Sequence, residues 1–351
     1  MKIAFSDMFI GRRGSSVALY DLAHYNETIL GNESIIISCD FDHEESAKAH
    51  PDALQKFKDR FEVFEIGLEP TGYTGFGKEN LRYSNLEESD RVIKEQGVDA
   101  LYLMKGCYSP HMSKLVPNLV HMLFVNEPGE YHGDRFAFIS DWLADLCKER
   151  YGLVKDSVPW MVNIEHHEGD MREQLGIPKD AMVLGYHGGF GCFGVPYVGE
   201  PIWHALEKRP DLHILLMNVD KKQSAITFDH PRLKWLPGTA DMKLKTQFIN
   251  TCDAMLHARH HGETFGLSVG EFNRHNKPII GCSTVGDRCH IEILGDSFIG
   301  YSNPNELYSI LMTLTHEYIA SRNWDKFSEK HNPEAVMKKF KEIFLDGLDK
   351  K

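Results

Sequence analysis

The segment AMVLGYHGG, residues 181–189, decides how the chain is divided. An apolar run short enough for one buried strand ends on two glycines, and it follows the polar stretch IEHHEGDMREQLGIPKD, residues 164–180. Upstream, one alternation of strands and helices is already complete. KIAFS (2–6) reads as a strand, a loop with Gly11 and Gly14 follows, and SSVALYDLAHYNETIL (15–30) places its apolar residues on one helical face. SIIISCD (34–40), EVFEIG (62–67), ALYLM (100–104) and VHMLFV (120–125) continue as strands, with VPWMVN (158–163) after them. LEESDRVIKEQG (86–97) and SDWLADLCKERYG (140–152) carry helical spacing. Downstream the rhythm restarts: helix GEPIWHALEKR (199–209), strand LHILLMN (212–218), RLKWLP (232–237), helix MKLKTQFIN (242–250), then DAMLHA (253–258). GLSVGEFNRH (266–275) reads as a helix, PIIGC (278–282) as a strand and PNELYSILMTLTHEYI (304–319) as one helix.

A βαβ rhythm implies a mostly parallel sheet covered on both faces. The predicted fold is therefore α/β, with two Rossmann-like, doubly wound halves facing each other across a cleft. The expected division is 1–167, 168–328, and a last amphipathic segment 329–351 that packs back on the first domain. Ligands of such sheets bind where loops leave the carboxyl ends of the strands.

Composition narrows the function. Among 351 residues, 39 Lys+Arg stand against 51 Asp+Glu, so the net charge is 39 − 51 = −12, which disfavours a nucleic-acid partner. No apolar run reaches the roughly 18–20 residues of a membrane span, and Asp7 interrupts any signal-peptide stretch at the N-terminus. A cytoplasmic protein is expected. The seven cysteines never form CxxC, which fits reduced thiols, and the 19 histidines show no metal-ligand spacing. No metal site is expected. The sequons at Asn26 and Asn32 carry little weight without a secretory signal, and no GxGxxG points to a dinucleotide. Asp40-Phe41-Asp42 matches DxD, but Asp at a strand end is common turn chemistry.

The stretch that carries chemistry is HARHHGETFGLSVGEF, residues 257–272. Glu263 and Glu271 have seven residues between them, with a helix expected to begin near Gly266. A helix opening in a cleft offers unpaired N–H groups to a diphosphate, and the flanking carboxylates can accept bonds from hydroxyls on either side. A nucleotide sugar presents hydroxyls at its hexose and at its ribose, with the diphosphate between.

ETFGLSVGE resembles the E-x7-E signature of family 4 glycosyltransferases, retaining enzymes of two-domain GT-B architecture. The resemblance extends to residues 162–189 (VNIEHHEGDMREQLGIPKDAMVLGYHGG) and 232–259 (RLKWLPGTADMKLKTQFINTCDAMLHAR), and more loosely to the N-terminal half. Within the family the chain looks most like the enzymes encoded by chloroviruses, which would place it in a host cytoplasm. The resemblance implies that a hexose moves with retention from a nucleotide-diphosphate sugar to a glycan or glycoprotein acceptor. GDP-mannose is the first expectation for the donor and a UDP-hexose the second, with no cofactor. Glu263 would meet donor-sugar hydroxyls in a catalytic role, Glu271 the ribose, and the amides of Phe265, Gly266 and Leu267 the sugar and diphosphate.

Two departures follow. The family's usual Arg and Lys after the first C-terminal strand are missing from HGGFGCFGVPYVGE, residues 187–200. The replacements are the backbone of Gly188 and Gly189, Arg259, or Lys221 and Lys222, with Arg259 favoured. At FVNEP (124–128), where many members place an active-site His, Asn126 and Glu127 stand instead, with His132 shortly after. Asn126 and His132 are the catalytic candidates of the N-terminal half. Gly14 is a donor-loop candidate there, whereas Arg12 and Arg13 read as a solvated pair. A nucleotide-sugar epimerase, a phosphorylase of the same architecture or a non-catalytic nucleotide-sugar-binding protein stay open, as does a homodimer.

Overall fold

The computed structural model describes residues 1–7, 9–40, 49–67, 69–74, 81–84, 86–105, 112–124, 133–189 and 192–348. Asn126, Glu127 and His132 lie outside them, as do Phe41 and Asp42 of the DxD. The chain forms two compact units, one of Met1–Met161 with Pro333–Lys351 and the other of Val162–Asn332.

The first unit runs β1 (Lys2–Asp7), α1 (Gly14–Thr28), β2 (Glu33–Asp40), α2 (Pro51–Lys58), β3 (Glu62–Gly67), the antiparallel pair β4 (Glu69–Thr74) and β5 (Leu81–Ser84), α3 (Leu86–Gln96), β6 (Ala100–Lys105), β7 (Asn118–Met122), β8 (Arg135–Phe138) and α4 (Asp141–Tyr151). Its main sheet is parallel, in the order β3-β2-β1-β6-β7-β8, and Phe5 of β1 pairs with Ile36 on one side and Tyr102 on the other. Local chemistry sets the helix ends. Ser140 Oγ accepts from Leu143 N (3.2 Å) to start α4, and Gly152 at φ 69° stops it.

The second unit contains β9 (Met182–His187), α5 (Gly199–Lys208), β10 (Leu212–Met217), β11 (Leu233–Leu236), α6 (Met242–Thr251), β12 (Ala254–His257), β13 (Gly262–Glu263), α7 (Leu267–Arg274), β14 (Ile279–Cys282), β15 (Asp287–Arg288), α8 (Cys289–Leu294), β16 (Phe298–Tyr301), α9 (Pro304–Thr313) and α10 (His316–Ala320). Its parallel sheet has the order β11-β10-β9-β12-β14-β16. β9, β10, β12 and β14 are buried along their whole length, as expected of strands covered on both faces.

Several elements depart from the sequence reading. VPWMVN is no strand; it runs buried after a single bridge between Phe138 and Ser157. The sixth strands are instead β8 and β16, four residues each and too short for periodicity to reveal. The helix over 304–319 is two helices: Leu314 turns extended (ψ 129°) and Thr315 Oγ1 caps a new start by accepting from Tyr318 N. The units part at 161/162 and 332/333 rather than at 167/168 and 328/329. Val162 N donates to His331 O (2.8 Å), Arg274 bonds to Val162 O, and Thr246 Oγ1 donates to Glu165 O (2.9 Å), so residues 162–167 are held by the second unit. No helix among the described residues is long and apolar enough to cross a membrane.

The closing helix α11 (Pro333–Phe340), with a π-turn over Lys341–Leu345, completes the core of the first unit. The Phe340 ring lies 6.4 Å from Phe5 and 5.6 Å from Tyr102, and that of Phe344 lies 5.9 Å from Tyr102 and 5.6 Å from His121. Beneath them, His121 Nε2 is 2.7 Å from Val158 O and must carry the proton, because a carbonyl only accepts. Nδ1 then accepts from the Tyr102 hydroxyl at 2.5 Å, and burial holds His121 down at about 4, hence neutral. Replacing Phe340 by Ala removes a fully buried ring and is expected to cost the first unit about 3–5 kcal/mol in urea unfolding. A change under about 1 kcal/mol would mean that α11 is dispensable to that core.

Candidate active site

In the second sheet the chain winds outward from β9 in one direction through β10 and β11, and in the other from β12 through β14 and β16. The order reverses between β9 and β12, so the crevice beyond their carboxyl ends is where an open α/β sheet takes its ligand. β9 ends at His187 and β12 at His257. Both signature glutamates turn towards these two strand ends.

Glu263 sits in β13, which pairs with β15 through Gly262 and Asp287. Gly262 is obligatory there: its φ is +79°, and a Cβ would lie 2.0 Å from Asp287 O. The Glu263 carboxylate receives Arg259 Nη1 on Oε2 at 2.5 Å and His257 Nε2 on Oε1 at 3.1 Å. A carboxylate only accepts, so Nε2 of His257 carries a proton. Burial alone would raise the pKa of Glu263. The Arg259 charge and the His257 bond outweigh burial and bring it to about 2. Reciprocally, Glu263 raises the Arg259 value.

Gly266 lies between the two glutamates in the left-handed region (φ 94°) and caps α7. A side chain there would press against the Cβ atoms of His290 (3.2 Å) and Glu263 (3.3 Å). No side chain caps the helix start, so the backbone donors of its first turn have no capping side chain. Phe265 is buried against Phe327 and His331, so its ring anchors the segment, and Leu267 is buried as well. One turn on, Glu271 is 2% exposed. Lys245 Nζ of α6 lies on its Oε1 at 2.5 Å, and His187 Nε2 lies 3.1 Å from Oε2, off the line of a hydrogen bond. Burial again pushes this carboxyl up, and the Lys245 charge, with His187, more than reverses it to about 2. His290 completes the cluster. Its ring is 4.8 Å from that of His257, burial holds it down at about 3, and neither ring nitrogen has a partner among the described residues.

The structure thus brings together Glu263, Gly266, Glu271 and Arg259, and adds Lys245, His187, His257 and His290. Gly188 flanks the group, its carbonyl accepting from Asn218 Nδ2 at 2.5 Å, and Gly189 follows it. Beyond residues 190–191, which lie outside the described set, the loop crosses towards β12: Gly194 and Val195 both donate to Ala258 O at 2.9 Å. Lys221 pairs with Asp229 instead of any member of the cluster, and Lys222 is exposed beside it. Gly14 opens α1 in the first unit. Arg12 and Arg13 are not a free solvated pair, since Arg12 binds Asp52 (2.8 Å) and Arg13 binds the buried Asp7 (2.9 Å). Among the described residues no three His, Cys, Asp or Glu side chains are grouped to hold a metal ion.

Lys245 was missed because MKLKTQFIN looks like an ordinary charged helix. The clue was available in its spacing, since Lys245 precedes Phe248 and Ile249 by three and four residues and so shares their buried face.

Neither a protein-family model nor a curated protein sequence matches the chain. Solved structures do. HepE of Anabaena, crystallised with UDP and glucose, has a TM-score of 0.65 at 14% identity, over 97% of this chain and 98% of its own. A glycosyltransferase of Rickettsia africae gives 0.60 at 15% identity over 99% of both chains. A putative UDP-N-acetylglucosamine 2-epimerase of Listeria monocytogenes gives 0.56 at 14% identity over 97% of this chain and 95% of its own. The chain has the two-domain GT-B fold.

The paired carboxylates make stability depend on pH. Both titrate at about 2 in the fold against 4.5 ordinarily, so the stability they supply is complete above about 4.5 and is lost as pH falls towards 2. Thermal unfolding followed from pH 7 to pH 3 should show that decline in the native protein and a shallower one in Glu271→Gln. Parallel curves would show that Glu271 is not held ionised.

Proposed function

We propose that the chain is a retaining glycosyltransferase of the family 4 kind, which moves a hexose from a nucleotide-diphosphate sugar to a glycan or glycoprotein hydroxyl. One observation carries this reading: Glu263 and Glu271 converge on the β9/β12 switch point from either side of the uncapped start of α7. In this reading the hexose hydroxyls donate to Glu263 and the ribose hydroxyls to Glu271. The amides of Phe265, Gly266 and Leu267 and the Arg259 guanidinium face the diphosphate, where negative charge grows as the leaving group departs.

The acceptor hydroxyl attacks the anomeric carbon on the face that the diphosphate is leaving. The new C–O bond forms as the bond from the anomeric carbon to the phosphoryl oxygen breaks, and the hydroxyl proton passes to a phosphate oxygen. Configuration is kept without a protein nucleophile, and positioning and charge carry the rate. No metal ion is required, because Arg259 supplies the counter-charge. His132 and Asn126 are the candidates to meet the acceptor. GDP-mannose leads among donors on the resemblance, and UDP-glucose follows as the sugar nucleotide whose parts HepE binds.

Calorimetric titration against a panel of GDP- and UDP-hexoses identifies the donor, and NMR of the product reads its anomeric configuration, expected to match the donor's, with EDTA leaving transfer intact. Glu263→Gln should weaken binding of the whole donor by roughly ten- to a hundredfold while leaving the free nucleoside diphosphate nearly unchanged. Equal losses would undo the role of Glu263. An inverted product would exclude the mechanism, and conversion of a UDP-sugar without acceptor would favour an epimerase instead.

A further inference from the structure

A diphosphate needs positive charge where it binds, yet the chain carries a net −12 and residues 187–200 contain no basic side chain. Two cations reach the β9/β12 crevice cluster among the described residues: Arg259 on Glu263 and Lys245 on Glu271. Lys245 stands in the first turns of α6, whose start is capped by Asp241 accepting from Lys243 N (2.8 Å) and Leu244 N (3.2 Å). Its side chain is only 10% exposed. A cation there is opposed by desolvation and by the positive end of the helix. A buried ion pair of this kind adds little stability over an apolar pair of similar size. Lys245 keeps Glu271 ionised, but fold stability alone does not explain why an ion pair rather than an apolar pair stands here.

We propose that Lys245 is the second cation of the nucleoside-diphosphate site, held by Glu271 until the diphosphate arrives. The assignment rests on the donor-binding reading of the second unit. It makes the cluster a set of interchangeable partners. Before binding, two carboxylates are matched by two cations. With the donor in place, Arg259 and Lys245 turn to phosphate oxygens, while Glu263 and Glu271 turn to hexose and ribose hydroxyls. His257 and His187 lie 3.1 Å from the glutamate oxygens that the cations do not occupy, so neither carboxylate is left alone during the exchange.

The test compares a nucleoside diphosphate with its nucleoside, using whichever of GDP or UDP the native protein binds. Lys245→Met should weaken the nucleoside diphosphate by about tenfold or more and the nucleoside by less than about twofold, and Lys245→Arg should restore most of the loss. If Lys245→Met does not fold, the same comparison is made between Glu271→Gln and Glu271→Gln/Lys245→Met, where no unpaired carboxylate remains. Again the diphosphate should lose more than the nucleoside. Equal losses for both ligands would make Lys245 a support for Glu271 only, and no loss would remove it from the site. Either outcome overturns the assignment while leaving the donor site standing. A native protein that binds neither GDP nor UDP would instead overturn the donor-binding reading, and this assignment with it.

Discussion

Keeping two buried carboxylates ionised is the constraint around which the second unit is arranged. A lone carboxylate taken out of water either protonates or destabilises the fold by several kcal/mol. Here each has a guanidinium or ammonium at 2.5 Å and an imidazole at 3.1 Å. The four partners come from β9, α6, β12 and the loop after β12, so the charge balance is a tertiary property. Each pairing also joins two segments: Arg259 ties β13 to the loop after β12, and Lys245 ties α7 to α6.

Sheet topology explains why those elements meet. Strands wound outward in both directions from β9 and β12 leave one gap at which the following loops diverge. Into that gap the chain brings β13, the left-handed Gly266 and α7. Close packing holds the helix in place, since a Cβ on Gly270 would lie 2.6 Å from Val162 and 2.9 Å from Phe327. The polar groups of the crevice are thus set on a helix that has no room to move towards its own core.

Much of this was legible in the sequence, for identifiable reasons. The long β-branched and aliphatic runs of β1, β2, β9, β10 and β14 are strands because both faces are covered, and no polar alternation blurs them. The helix expected to begin near Gly266 does begin there, because glycine accepts the left-handed conformation that precedes α7. What escaped was whatever depends on distant partners. β8 and β16 are strands only because a sheet edge pairs with them. Lys245, His187, His257 and His290 carry no spacing relative to Glu263 or Glu271 that a linear reading would connect. Arg12 and Arg13 looked solvated because their partners, Asp52 and Asp7, were invisible as partners in one dimension.

The first unit is interrupted: its last helix is separated from the rest by the whole of residues 162–332. On a ribosome, therefore, the earlier-made half must wait. The second unit has all its residues, and can settle, before Phe340 and Phe344 emerge to cover Phe5, Tyr102 and His121. A chain whose synthesis stops short of those residues leaves an aromatic surface bare on an otherwise finished molecule.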